Sequence, residues 1–315
     1  MNSAPTTSYV FRAHKTAVNT LCFFEDGKYF ASGDGDGVVI VWKMQTRRPA
    51  LQWRAHDQSC LAIIHYSNNK LITQGRDDII HAWQLQLHED QQPSKEKLFS
   101  IPYESIGFCK LSFCQTPDNG AIVCFPHHGD TSMIDIYSLE KQKWVQQNIG
   151  DASKKCGMCM AVETFFRDGK LYILAGYEDG SVALWQGSNC QWQLKKHDQP
   201  ILDLAVHDTI GISTSADNQI VKYNLFESSP SIQNASIKKH GLAAVDIRSD
   251  GKILATGGHD GRIRVFSLKT LKPLAIMNYH RDSAYAVAFG PVKENAEHWL
   301  LGGSKDGRIS LWNIY

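Results

Sequence analysis

In the stretch Ala175–Trp185, an Asp-Gly turn (Asp179, Gly180) leads into five alternating residues. Val182 and Leu184 fall on one face of a strand, and Ser181, Ala183 and Trp185 fall on the other. Glycine supplies the positive φ that tight hairpin turns demand. The pattern recurs from Asp36 to Trp42, from Asp306 to Trp312, and from Asp260 to Phe266 with phenylalanine as the closing ring. Asp77–Trp83 and Asp217–Tyr223 keep the acid six residues ahead of the ring, whereas Thr131–Tyr137 keeps Ile134 and Ile136 but moves the acid to Asp130. No such hairpin buries its apolar face alone, so the copies must stack. Trp42, Trp83, Tyr137, Trp185, Tyr223, Phe266 and Trp312 span 270 residues in six intervals, a mean of 45. That is the length of a four-stranded propeller blade.

The ends of the chain fit the same scheme. Tyr9–Arg12 precedes His14 much as Leu51–Arg54 precedes His56, so it reads as the outer strand of a blade that has no beginning. After Trp312 only Asn313, Ile314 and Tyr315 remain, too short for a strand of usual length. The last blade therefore lacks its fourth strand, and Tyr9–Arg12 is expected to provide it, closing a seven-bladed ring without an open edge. The chain is expected to be all-β and a single domain over residues 1–315. Within it, residues 1–7 form a flexible tail and residues 87–97 an exposed loop too polar to pack. Tyr103–Lys110 reads as the innermost strand of blade three. Lys222 stands where the other copies are apolar, which predicts a local register shift in blade five.

These repeats resemble the WD40 family over nearly the whole chain. In that family a histidine, a Ser or Thr, the turn aspartate and the tryptophan form a hydrogen-bonded tetrad. The physical demand is plain, since a half-buried carboxylate needs donors. The resemblance implies tetrads of His14, Ser32, Asp36 and Trp42 in blade one, and of His56, Thr73, Asp77 and Trp83 in blade two. Blade five would use His197, Ser213 and Asp217, followed by Tyr223. Blade six would use His240, Thr256 and Asp260, followed by Phe266. Blade seven has Gly302 at the hydroxyl position, and blade four has Ala175 and no histidine.

Composition narrows the function classes. A net charge of +1 gives no global field to hold nucleic acid or anionic lipid. No apolar run approaches the roughly 18 residues of a membrane span, and Met1–Ser8 has no signal-peptide pattern. Eight cysteines scattered through strand patterns fit reduced thiols in an intracellular protein. A recurring His/Ser/Asp trio could suggest acyl transfer, but a catalytic triad is a single asymmetric arrangement, whereas this one repeats. Cys156 and Cys159 have zinc-knuckle spacing but no second pair of the kind, and Cys109 and Cys114 flank Leu111 and Phe113. All four read as core residues. Gly33–Gly37 lacks a GK[ST] motif and carries two carboxylates, so it reads as a hairpin turn and not as a phosphate loop. No catalytic residue, cofactor or metal is expected.

Lys154, Lys155, Lys195, Lys196, Lys238 and Lys239 fall in pairs ahead of blades four, five and six. Solvated loop lysines are the ordinary reading of such pairs; on one shared rim they would form a basic arc for a partner. Tyr103–Lys110, Gln74–Asp77, Leu174–Val182, Lys252–Thr256 and Arg262–Phe266 resemble one branch of the family, that of fungal ASTRA-associated protein 1 and the animal guanine-nucleotide-binding protein β-subunit-like protein 1. The resemblance implies a non-catalytic scaffold subunit of the ASTRA chromatin-remodelling assembly. It also implies a link to the TTT co-chaperone for phosphatidylinositol-3-kinase-related kinases, and residence in the nucleus with the cytoplasm as a second compartment. The competing reading is a propeller that recognises histone tails or modified peptides. A heterotrimeric β-subunit would need an N-terminal heptad helix, which the sequence lacks.

Overall fold

A computed structural model describes residues 5–87, 92–104, 107–118, 120–227, 230–293 and 297–314. The protein is all-β, with seven four-stranded antiparallel sheets as the blades of a β-propeller. Two compact units are distinguished, residues 1–105 with 246–315 and residues 106–245.

In the first unit, blade one runs through Val18–Phe24, Tyr29–Asp34, Val38–Lys43 and Arg48–Arg54. Blade two runs through Cys60–Ser67, Lys70–Gly75, Ile79–Gln86 and Ser94–Pro102. Blade seven takes Ala284–Phe289, Trp299–Ser304 and Arg308–Asn313 from the end of the chain and Thr7–Arg12 from its start. Tyr9 lies opposite Leu311, Phe11 opposite Ile309, and Arg12 opposite Arg308. The N-terminal strand thus completes the last blade, as the unmatched ends predicted. Its Phe11 packs with Phe30, Trp42, Ile309 and Leu311, which joins blades seven and one through apolar burial.

The second unit holds blades three (Ser112–Gln115, Ala121–Pro126, Ile134–Ser138, Lys143–Ile149), four (Cys159–Arg167, Lys170–Tyr177, Ser181–Gln186, Asn189–Lys195) and five (Ile201–His207, Ile210–Ser215, Gln219–Asn224, Ile232–Ser236). The remaining blade, six, begins at Leu242–Ile247 and continues through Ile253–Gly258, Arg262–Ser267 and Pro273–Asn278. Innermost strands leave one row of backbone groups without a ladder partner, and neighbouring blades supply side-chain acceptors. Thr20 Oγ1 accepts the Ile63 N–H at 3.0 Å, Ser112 Oγ the Thr164 N–H at 2.8 Å, and the Asp203 carboxylate the Val245 N–H at 2.9 Å. Asp246 does the same for Phe289 at 2.8 Å.

Four sequence expectations are corrected. Ser94–Lys97 form the start of an outer strand, paired with Gln86–Trp83, and not a loop. Lys95 lies over the rings of Trp53 and Trp83, so this polar edge still packs through its lysine. Leu87 is buried, and residues 88–91 lie outside the described residues. Thr7 belongs to the closing strand; residues 1–4 of the expected tail are likewise outside the description. Among the described residues of 103–110 there is no strand, because Tyr103 is spent on blade two: its N–H donates to Asp78 O and its hydroxyl to Gly75 O at 2.7 Å. The strand that carries Lys222 keeps its register on both sides, with Ile212 opposite Lys222 and Ser213 opposite Val221; the one irregularity among the described residues of blade five lies away from it, between Ile201 and Asp203. Lys222 is only half-buried, and partial burial of its ammonium lowers its pKa without displacing the strand.

Candidate functional site

The turn end of each blade is built around buried polar side chains. Blade two forms its expected tetrad. His56 Nδ1 lies 2.9 Å from Asp77 Oδ1, His56 Nε2 lies 2.8 Å from Thr73 Oγ1, and Trp83 Nε1 donates to that hydroxyl at 2.9 Å. Blade five repeats it with His197, Asp217 and Ser213, and the Tyr223 hydroxyl takes the tryptophan's place 3.1 Å from Ser213 Oγ.

In blade one the acid is Asp34, not the expected Asp36. His14 bridges Asp34 at 2.7 Å and Ser32 at 2.6 Å, and Trp42 Nε1 donates to Ser32 at 2.8 Å. Residues two apart on a strand share a face, so Ser32 and Asp34 both point at the imidazole while Asp36 sits exposed in the turn. Blade two puts Gly75 at the equivalent place, and a Cβ there would collide with His56 and the Asp77 carboxylate. The carboxylate that folds back over a glycine in blade two is thus replaced, in blade one, by the side chain of that very position.

Blade six does not build the tetrad expected of His240, Thr256 and Asp260. Arg264 grips Asp260 through two bonds of 3.0 and 2.6 Å. Thr256 Oγ1 is buried without a hydrogen-bond partner among the described residues, and His240 is exposed. Arg264 lies directly opposite Thr256, so its guanidinium occupies the region an imidazole would need. Blade seven has a tetrad the sequence reading missed. Ser310, opposite Gly302, brings its hydroxyl to His280 Nε2 at 2.8 Å and accepts Trp312 Nε1 at 2.8 Å, while His280 Nδ1 faces Asp306 at 3.2 Å. Blade three is pinned by His127 and the buried Asp135 at 2.8 Å; among the described residues the displaced Asp130 carboxylate bonds only Ser132. In blade four, Tyr177 receives Trp185 Nε1 at 3.2 Å.

Burial lowers the pKa of His56 and His197, against the raising influence of Asp77 and Asp217. It pushes that of His81, stacked on His56, down to about 4. A folded pKa below the ordinary 6.5 means that the unfolded chain binds the proton first. These groups therefore contribute stability that is complete above 6.5 and is lost as pH falls through their folded values. Urea midpoints should drop between about pH 7.5 and about pH 5, with His81 alone accounting for about 2 kcal/mol. His81→Leu should flatten that dependence; an unchanged slope would contradict it.

Cys109, Cys124, Cys156 and Cys159 share one apolar cluster. Burial pushes the Cys156 thiol up to about 11, which disfavours the thiolate needed for reaction or metal ligation. The six rim lysines are all exposed and none makes an ion pair among the described residues. Lys154, Lys155, Lys196, Lys238 and Lys239 lie on connections from one blade's outer strand to the next blade's innermost strand, and Lys195 ends the outer strand of blade four. These connections pack on the hairpin turns: Asp179 N donates to Cys156 O, His197 N to Gly180 O and Gly241 N to Asp217 O.

Comparison with known proteins fits this geometry. The family model for the WD domain, G-beta repeat, matches residues 5–43 and 232–267. Guanine nucleotide-binding protein subunit beta-like protein 1 of Mus musculus is 32% identical over 331 aligned positions, covering 99% of this chain and 97% of the relative. ASTRA-associated protein 1 of Schizosaccharomyces pombe is 29% identical over 370 positions, with 99% of each chain covered. The Aspergillus niger protein of the same name is 28% identical over 427 positions, covering 98% of this chain and 97% of the relative. The fungal alignments are longer than this 315-residue chain, so those relatives carry insertions that it lacks. Repeats, blades and full-length similarity agree: the chain belongs to the WD40-repeat family, in the line that includes guanine nucleotide-binding protein subunit beta-like protein 1 and ASTRA-associated protein 1.

Proposed function

We propose that this protein is a non-catalytic WD-repeat subunit that docks partners within an ASTRA-type assembly. The observation that carries the reading is the end-to-end similarity to relatives named ASTRA-associated protein 1. The chemistry of the blades is consistent with it, since in blades one, two, five and seven the buried His, Asp and Ser/Thr groups are committed to one another and hold the turns in place. Exposed connections on a stiff scaffold are a usual place for partner contacts. On this reading the partners are ASTRA subunits and the TTT co-chaperone, the work is done in the nucleus and also in the cytoplasm, and the lysine pairs Lys154/Lys155, Lys195/Lys196 and Lys238/Lys239 contribute to the docking rim.

Affinity purification of the tagged chain from its own cells, followed by mass spectrometry, should recover the large helical-repeat co-chaperone subunits. A purification that contains none of them overturns the assignment. Reversal of the six rim lysines to glutamate should reduce that recovery, and an undiminished yield would remove the rim from the proposal.

A further inference from the structure

The closing strand pair opposes two cations. Arg12, the last residue of the N-terminal strand, lies directly across from Arg308, the first residue of the strand it completes. Cross-strand neighbours have Cβ atoms about 5 Å apart on one face of the sheet, where like charges destabilise. The other six blades avoid this arrangement at the same place. They pair Val38 with Arg54, Ile79 with Pro102, Ile134 with Ile149, Ser181 with Lys195, Gln219 with Ser236 and Arg262 with Asn278.

Neither arginine has a carboxylate partner among the described residues. Arg12 is exposed and makes no hydrogen bond there; Arg308 is half-buried, and its guanidinium donates to the Tyr279 hydroxyl at 3.3 Å. That hydroxyl keeps its own proton free to donate. Asp306 is close in sequence, but its oxygens are taken by His280 Nδ1 and by the N–H groups of Arg281 and Arg308. Arg54 in blade one shows how such a charge is otherwise satisfied, donating to His56 O at 3.1 Å and to Asp57 O at 2.8 Å.

We propose that Arg12, Arg308 and the Tyr279 hydroxyl form a binding site for a phosphate-type dianion. Two guanidinium forks match the oxygens and the near −2 charge of a phosphoryl group, and the phenol adds a neutral donor. A bound dianion turns the repulsion across the strand pair into attraction. The exposed position admits either free phosphate or the side chain of a phosphorylated partner segment.

The test uses the full chain, with thermal unfolding in sodium phosphate and in sodium chloride at matched ionic strength. Phosphate stabilises many proteins non-specifically, so the criterion is the difference between wild type and Arg12→Gln. Without phosphate, Arg12→Gln should unfold at the same temperature as wild type or higher, because it removes a like-charge contact. Phosphate should raise the wild-type midpoint by roughly 2–4 °C more than that of the variant. Arg12→Lys, which keeps the charge but loses the fork, should fall between them. A glycine–serine peptide carrying one phosphoserine, titrated against its unphosphorylated twin, distinguishes the sources. Discrimination lost in Arg12→Gln supports a peptide-borne group, and its absence beside a retained phosphate shift supports the free anion. Equal phosphate responses in wild type and Arg12→Gln overturn the site.

Discussion

Asp34→Ala should lower the unfolding free energy by about 3–5 kcal/mol, whereas Asp36→Ala, two residues on, should leave it within about 0.5 kcal/mol. The asymmetry follows from what each carboxylate does. Asp34 is 2% exposed and accepts from His14 Nδ1 at 2.7 Å, from the Asp36 N–H at 3.0 Å and from the Val38 N–H at 2.9 Å. Its loss leaves a buried imidazole and two turn N–H groups short of an acceptor, and unmet buried groups are what make such deletions expensive. Asp36 is exposed, and among the described residues its side chain enters no hydrogen bond or ion pair. Urea unfolding of the two variants, monitored by tryptophan fluorescence, reads the contrast directly because Trp42 donates into the same network. Similar losses at both positions would mean that the carboxylate roles are shared.

The same pair shows how far the sequence could be read. Blade number, the turn end of each blade and the strand donated by Tyr9–Arg12 follow from a period and from unmatched ends, which are properties of the whole chain. The tetrads of blades two and five follow from spacing because a small residue, Gly75 or Ser215, leaves room for the acid to fold back. Spacing fails in blade one because Asp34 occupies that place itself. It fails in blades six and seven because the deciding residue sits across the ladder, Arg264 opposite Thr256 and Ser310 opposite Gly302. A signal did exist. Asp135, Arg264 and Ser310 are polar at a position where Ile40, Ala183 and Val221 are apolar, and each marks a place where an imidazole gains or loses a partner, whereas His81 is polar there and leaves the blade-two tetrad intact. The Arg12–Arg308 opposition was out of reach until the register of the closing pair was fixed.

Phe11→Ala should cost about 3–5 kcal/mol, the range for emptying a buried aromatic position. Its ring is 1% exposed and lies edge-on to Phe30 at 4.9 Å and to Trp42 at 5.1 Å. The cavity would therefore open where blade seven meets blade one, at the joint made by a strand drawn from the other end of the chain. Removal of residues 1–12 should go further than a loss of stability, because it strips the ladder partner from Arg308–Asn313 and exposes an apolar edge strand. The expected result is a concentration-dependent shift to oligomers by light scattering, reversed by adding back a peptide that spans Thr7–Arg12. Tyr9→Ala is the internal control: Tyr9 is 37% exposed, so the change should cost less than about 1 kcal/mol. If Phe11→Ala proved as mild as Tyr9→Ala, and the truncated chain stayed monomeric, the closing strand would be a surface addition and the joint would rest on the other blade contacts.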